Sequence, residues 1–307
     1  MKRRLFYMLT CVLICFSLNA AAESKGIFYR VHGGKNEMTL LGSIHVGAKE
    51  MYPWGDVIIH ALENADMLVF ECDTEAPEEL DIMKDMMFYP AGDTLDQHIS
   101  SETLESMKQV ASTLGYPYDF LNTMKPWAIV SMMSTETTAV EMGTTDVHKA
   151  LELGVEEQIK KTAGNKETLY LESVKEQLDI MDSFSEELQE YMLQTACATI
   201  LQPDEISGMD ATLKKWPLWW ANGDDEAFSF AYTDSMSIDP RPTLMQEYHN
   251  GLIVKRNEQM VQTLCTMLEA PEDHSFFVTI GLLHLVLPQD SVIDGLESQG
   301  YWVEKIE

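Results

Sequence analysis

Positive charge is what this chain has least of. Its 307 residues carry 21 lysines and arginines against 50 aspartates and glutamates, a formal charge of −29. Such a surface repels nucleic acid and anionic membranes, so neither is an expected partner. Long apolar runs are equally scarce. After residue 22 none is long enough to remain as a bilayer span. Tandem repeats and low-complexity segments are missing as well, which leaves a globular unit rather than an array. Of five cysteines, Cys11 and Cys15 lie near the amino terminus, and Cys72, Cys197 and Cys265 remain. An odd number leaves at least one thiol free. Cys197 and Cys265, both in helical patterns, are the pair that could bridge, while Cys72 beside an apolar strand reads as a buried thiol.

What is present starts with residues 1–22. Lys2, Arg3 and Arg4 precede an apolar run over 5–18, and Asn19-Ala20-Ala21-Ala22 supplies a small-residue exit. This is the pattern of a secretory signal cut after Ala22, which implies a periplasmic or secreted protein. Acylation at Cys15 fits less well, because Ile14 is large where a small residue is expected. The remaining residues, 23–307, suffice for one generous domain.

Apolar patterning gives α/β character at the two ends and helix between them. Strands are expected at 26–31 and 38–41, joined through His32-Gly33-Gly34-Lys35-Asn36 as a hairpin. A helix over 54–64 leads to a short buried strand at 67–70. Helices are expected at 95–114, 127–142 and 147–162, then a strand at 168–171, and mostly helix from 175 to 268. A strand at 276–280, a helix at 289–298 and a strand at 301–306 close the chain. The expected fold is therefore α/β: a central mixed β-sheet with a large helical insertion, about residues 78–270, between its N- and C-terminal strands. The methionine pairs Met86-Met87 and Met132-Met133 have the spacing of helix faces and read as soft core, not copper ligands. Of Trp216, Trp219 and Trp220, Trp219 is the one expected to be exposed.

Gly42-Ser43-Ile44-His45 and Gly281-Leu282-Leu283-His284 each end a buried strand in a glycine and set a histidine three residues later. Glu71 and Glu172 end two further strands. Open α/β sheets bind ligands at the carboxyl ends of their strands, so these four side chains would converge there. Paired imidazoles with carboxylates suit manganese, cobalt, iron or zinc better than calcium. A lone histidine after a strand is ordinarily a packing residue. A carboxylate against a buried strand, by contrast, must be paired or bound.

The chain resembles the TraB/PrgY/GumN family, which is related to the TIKI proteases and more distantly to erythromycin-esterase-like and ChaN-like folds. The resemblance rests on Gly42-Ser43-Ile44-His45, Phe70-Glu71, Lys125-Pro126-Trp127, Gly154-Val155-Glu156, Leu171-Glu172-Ser173 with Gln177, Trp220 to Asp224, Arg256-Asn257 and Gly281 to Leu285. Glu156 departs from the aspartate usual in the family, and Val286 stands where a glycine often follows the second histidine. The resemblance implies a divalent-metal hydrolase of the TIKI kind acting on a peptide or protein substrate, with manganese or cobalt favoured over zinc. His45, Glu71, Glu172 and His284 would be the metal ligands. Glu71 or Glu172 would handle the proton, and Arg256 would hold a substrate carboxylate or the oxyanion, unless it forms a structural ion pair. Asn257 would pack or hydrogen-bond behind the site. Two other readings use the same pocket: a protein that sequesters a peptide without cleaving it, and a metallo-esterase acting on a small molecule.

Overall fold

The computed structural model describes residues 23–205, 208–271 and 273–307. The amino-terminal leader expected at 1–22 lies outside them. Among the described residues no helix is long and apolar enough to cross a membrane.

Six strands form one mixed sheet: β1 (Phe28–His32), β2 (Glu37–Ser43), β3 (Met67–Phe70), β4 (Glu167–Tyr170), β5 (Ser275–Gly281) and β6 (Trp302–Lys305), in the order β4-β3-β5-β2-β1-β6. β1 and β2 form the expected antiparallel hairpin, with Gly33 at φ +103°, a conformation that β-branched or bulky side chains resist. β2, β5, β3 and β4 run parallel, so their carboxyl ends share one edge. Gly42 faces Ile280 and Ser43 faces Gly281, which sets the two G-x-x-H segments side by side. The reason for this order is burial. Leu40, Leu41, Phe277, Val278 and Ile280 are completely buried, and Leu68 and Val69 nearly so, as strands covered on both faces require. Each such side chain contributes roughly 1.5–3 kcal/mol.

Helices cover the sheet and build a second core of their own around Met107, Val110, Trp127, Ile129 and Leu193. Met86, Met87, Met132 and Met133 pack there, as their spacing implies. The free Cys197 sits in that core beside Met107, whereas Cys265 packs against the sheet core near Tyr301. The two thiols belong to different cores, so the considered Cys197–Cys265 bridge does not form. Trp219 is half-buried with its edge on Phe228, and Leu218 is the exposed neighbour instead. Trp220 is fully buried and donates from Nε1 to the Gly42 carbonyl at 2.7 Å, fastening the end of β2 to the helical part.

Two departures from the sequence-based elements shape the site. The helix expected over 147–162 is broken into Val147–Glu152 and Val155–Ala163. Between Lys175 and Leu268 the chain contains a π-helical turn, Asn250–Lys255, directly before Arg256.

Candidate functional site

The broken helix is the key to the first histidine. A Cβ on Gly47 would stand 1.7 Å from the Leu153 carbonyl oxygen, and one on Gly154 would stand 2.2 Å from that of His45. Only glycine at both positions lets the His45 loop and the helix break meet backbone to backbone. Gly47 N–H then donates to Ala150 O at 2.9 Å, and Val155 N–H to Ile44 O at 3.1 Å. The helix restarting at Val155 presents Glu156 to the loop, with its Oε1 3.0 Å from His45 Nδ1. The side chain of His45 is 74% exposed and lines a cleft of about 580 Å³ with Glu71 and Glu156. Attraction to Glu156, and the hydrogen bond with it, raise the His45 pKa to about 9. The same pairing holds Glu156 below its ordinary value against the cost of burial.

The second histidine is held differently. His284 follows β5 on the short helix Leu283–Val286 and is buried. Its Nδ1 lies 2.5 Å from Asn257 Oδ1, and Asn257 Nδ2 donates to the Asp290 carbonyl at 2.6 Å. That second bond fixes the amide, so Oδ1 must accept and His284 Nδ1 must carry the proton. Nε2 is left with a lone pair. Burial pushes His284 down to about 4, so the ring is neutral. Asn257 therefore does what was expected of it.

Glu71 and Glu172 meet across Arg256. Glu172 N–H donates to the Glu71 carbonyl at 2.9 Å, so the backbone brings the two residues together. Arg256 Nη2 donates to Glu71 Oε2 at 2.6 Å and also to Glu172 Oε1, while its Nε reaches both Glu172 oxygens at 3.1 and 3.2 Å. Gln177 completes the cluster, donating to Glu172 Oε1 at 2.9 Å and Glu71 Oε2 at 3.3 Å. The Glu172 side chain is 2% exposed. Glu71 has one oxygen less occupied: among the described residues Oε1 accepts only from Gly281 N–H, at 2.6 Å. Burial by itself would raise the Glu71 pKa, but Arg256, His284 and His45 overcome it and bring it to about 2. A Cβ on Gly281 would lie 3.0 Å from that Oε1 and 3.4 Å from His284 Cδ2, so the glycine keeps open the space between them.

Of the four residues read as ligands, the structure thus places Glu71 and His284 around Gly281 and His45 across the cleft wall. Glu172 is directed to Arg256, with both oxygens engaged. Among the described residues no three His, Cys, Asp or Glu side chains stand close enough together to hold a metal ion as they are placed. By donor type, His45, Glu71 and His284 fit a divalent ion, and each histidine has its Nδ1 set against an oxygen acceptor. That is the arrangement by which proteins orient metal-binding imidazoles. Glu172 does not fit, since its charge is spent on Arg256. Arg256 forms the ion pair, and Nη1 is the part of the guanidinium that makes no hydrogen bond among the described residues. Sequence reasoning gave Glu156 and Gln177 no role. The signal for Glu156 was the pair Gly47 and Gly154, which make sense only as two halves of one contact.

This combination, a mixed sheet with two anchored imidazoles and an arginine-clamped carboxylate pair at its parallel strand ends, defines a strand-end α/β site protein. The chain belongs to the TraB/PrgY/gumN family, whose model matches residues 27–305. It is 24% identical over 266 residues to the uncharacterized protein YbaP of Escherichia coli (strain K12), covering 82% of this chain and 85% of that one. An uncharacterized protein of Treponema pallidum (strain Nichols) is 23% identical over 219 residues, 64% of this chain and 63% of its own. No solved structure matches.

Proposed function

We propose that this protein is a divalent-metal-dependent hydrolase that cleaves peptide bonds, with His45, Glu71 and His284 holding the ion. The observation that carries the reading is the paired anchoring of the histidines, Nδ1 of His45 on Glu156 and Nδ1 of His284 on Asn257. Two rings fixed through one nitrogen leave the other nitrogen of each as the group available to a ligand. Manganese or cobalt is the proposed ion, and when bound it would polarise the substrate carbonyl and lower the pKa of water.

The chain's own residues account for the rest. Arg256 and Gln177 hold Glu71 ionised, and with a pKa near 2 it serves better as an anionic ligand than as a proton carrier at neutral pH. Glu172, almost completely buried beneath Arg256, fixes the guanidinium rather than touching substrate. Glu156, set against Nδ1 of His45, orients that exposed ring and leaves Nε2 as the nitrogen to bind the ion, which would displace the second ring proton.

The test is cleavage of a quenched-fluorescent peptide library by the mature protein, with manganese or cobalt added and again in EDTA. Metal-dependent cleavage that His284→Ala abolishes supports the reading. Peptides retained uncut at saturating metal would favour sequestration and refute it.

A further inference from the structure

We infer that the cleft in front of the site receives a cationic side chain of the substrate, of the lysine or arginine type, between Thr279 on its floor and Glu152 and Glu157 on its rim. The inference rests on the peptidase reading above and names the substrate class for it. The cleft, at about 580 Å³, is within the range that admits a ligand, and its lining includes Glu71, Glu152, Glu156 and Glu157. Its charges do not balance. Arg256 answers Glu71, and His45 answers Glu156. Lys160 is one cation shared by Glu75 and Glu157. Glu152 is exposed and makes no ion pair among the described residues.

Thr279 supplies the second, independent observation. It lies in β5, is 1% exposed and lines this cleft, yet its Oγ1 has no hydrogen-bond partner among the described residues. A buried hydroxyl left unpaired costs about 1–3 kcal/mol, so a ligand group that supplies the missing partner is favoured at this point of the cleft. Carboxylates only accept hydrogen bonds and a hydroxyl can accept, so the complementary ligand is a group with several donors and positive charge. An ammonium or guanidinium meets both conditions, and the −29 charge of the chain draws such a group in.

The probes are four fluorescein-labelled heptapeptides, identical except for a central Lys, Arg, norleucine or Glu. Their binding to the mature protein is read by anisotropy in low and high salt, and their cleavage is read separately. The Lys and Arg peptides should bind about tenfold more tightly than the norleucine peptide, with the Glu peptide weakest. That advantage should fall below about threefold in E152Q/E157Q and shrink with added salt. Thr279→Val should reduce the advantage while leaving the melting temperature unchanged or higher, because it removes an unpaired hydroxyl. Equal binding of the Lys and norleucine peptides, no binding of either cationic peptide, or a Thr279→Val variant with a lowered melting temperature overturns the inference. Cleavage without charge preference would remove this subsite and leave the hydrolase standing. Cationic peptides captured but never cut would do the reverse.

Discussion

Replacing Arg256 by methionine leaves Glu71 and Glu172 facing each other without a cation. Their side chains are 15% and 2% exposed, so water cannot restore what the guanidinium supplied. Gln177 can still donate to both, but it carries no charge. Breaking a buried pair by removing one partner typically costs about 3–5 kcal/mol, and here one cation serves two anions. For a chain of this length that is a fall in melting temperature of roughly 5–8 °C. The acid dependence follows with a definite sign. Glu71 is held at about 2 in the folded protein against an ordinary 4.5. Its contribution is therefore complete above pH 4.5 and is lost as pH falls toward 2. In Arg256→Met the carboxylates gain by taking up protons, so the gap between variant and parent should narrow over that window. Arg256→Lys should lose less, because it keeps the charge without the planar fork that spans both carboxylates. Denaturant unfolding of EDTA-treated protein, at pH 7 and stepwise down to pH 2.5, measures this. A loss below about 1 kcal/mol at pH 7, or a gap that stays constant on acidification, would refute the reasoning.

Other consequences are simpler. Gly47→Ala should displace the His45 loop, since the new methyl would overlap the Leu153 carbonyl, and should abolish activity and lower the melting temperature, both read against the parent. Gly281→Ala should lower turnover far more than stability, because its Cβ presses on Glu71 Oε1 and little else; activity and thermal unfolding measured side by side decide this. Unfolded, non-reduced protein spanning residues 23–307 should show three alkylatable thiols by mass spectrometry, Cys72, Cys197 and Cys265, because all three are free in the fold.

Much of the fold was legible because buried parallel strands write themselves as short apolar runs. β2, β3 and β5 were placed within one or two residues, and the strand-end rule brought His45, Glu71, Glu172 and His284 to one edge of the sheet. What was not legible depended on contacts between distant segments. Helical periodicity runs straight through Leu153-Gly154, and only the approach of the His45 backbone explains the break there. Glu156 therefore looked like a departure from pattern when it is the partner of His45. Arg256 could be read as a substrate clamp or an ion pair, and the choice turned on whether both glutamates point at it. The two cysteines could not be assigned to separate cores from helical pattern alone. The π turn before Arg256 has no sequence signature that a 3.6-residue period would reveal.

His45 and His284, each set through Nδ1, are proposed to hold a divalent ion with Glu71. Asn257→Leu tests it most directly, because Asn257 contacts His284 but is not itself proposed to touch the ion. Isothermal titration of EDTA-stripped protein with manganese, run beside His284→Ala and the parent, gives the affinities. One ion per chain is expected in the parent, with affinity weakened about 10- to 100-fold in Asn257→Leu and no measurable binding in His284→Ala. Parent-like manganese affinity in His284→Ala would contradict it.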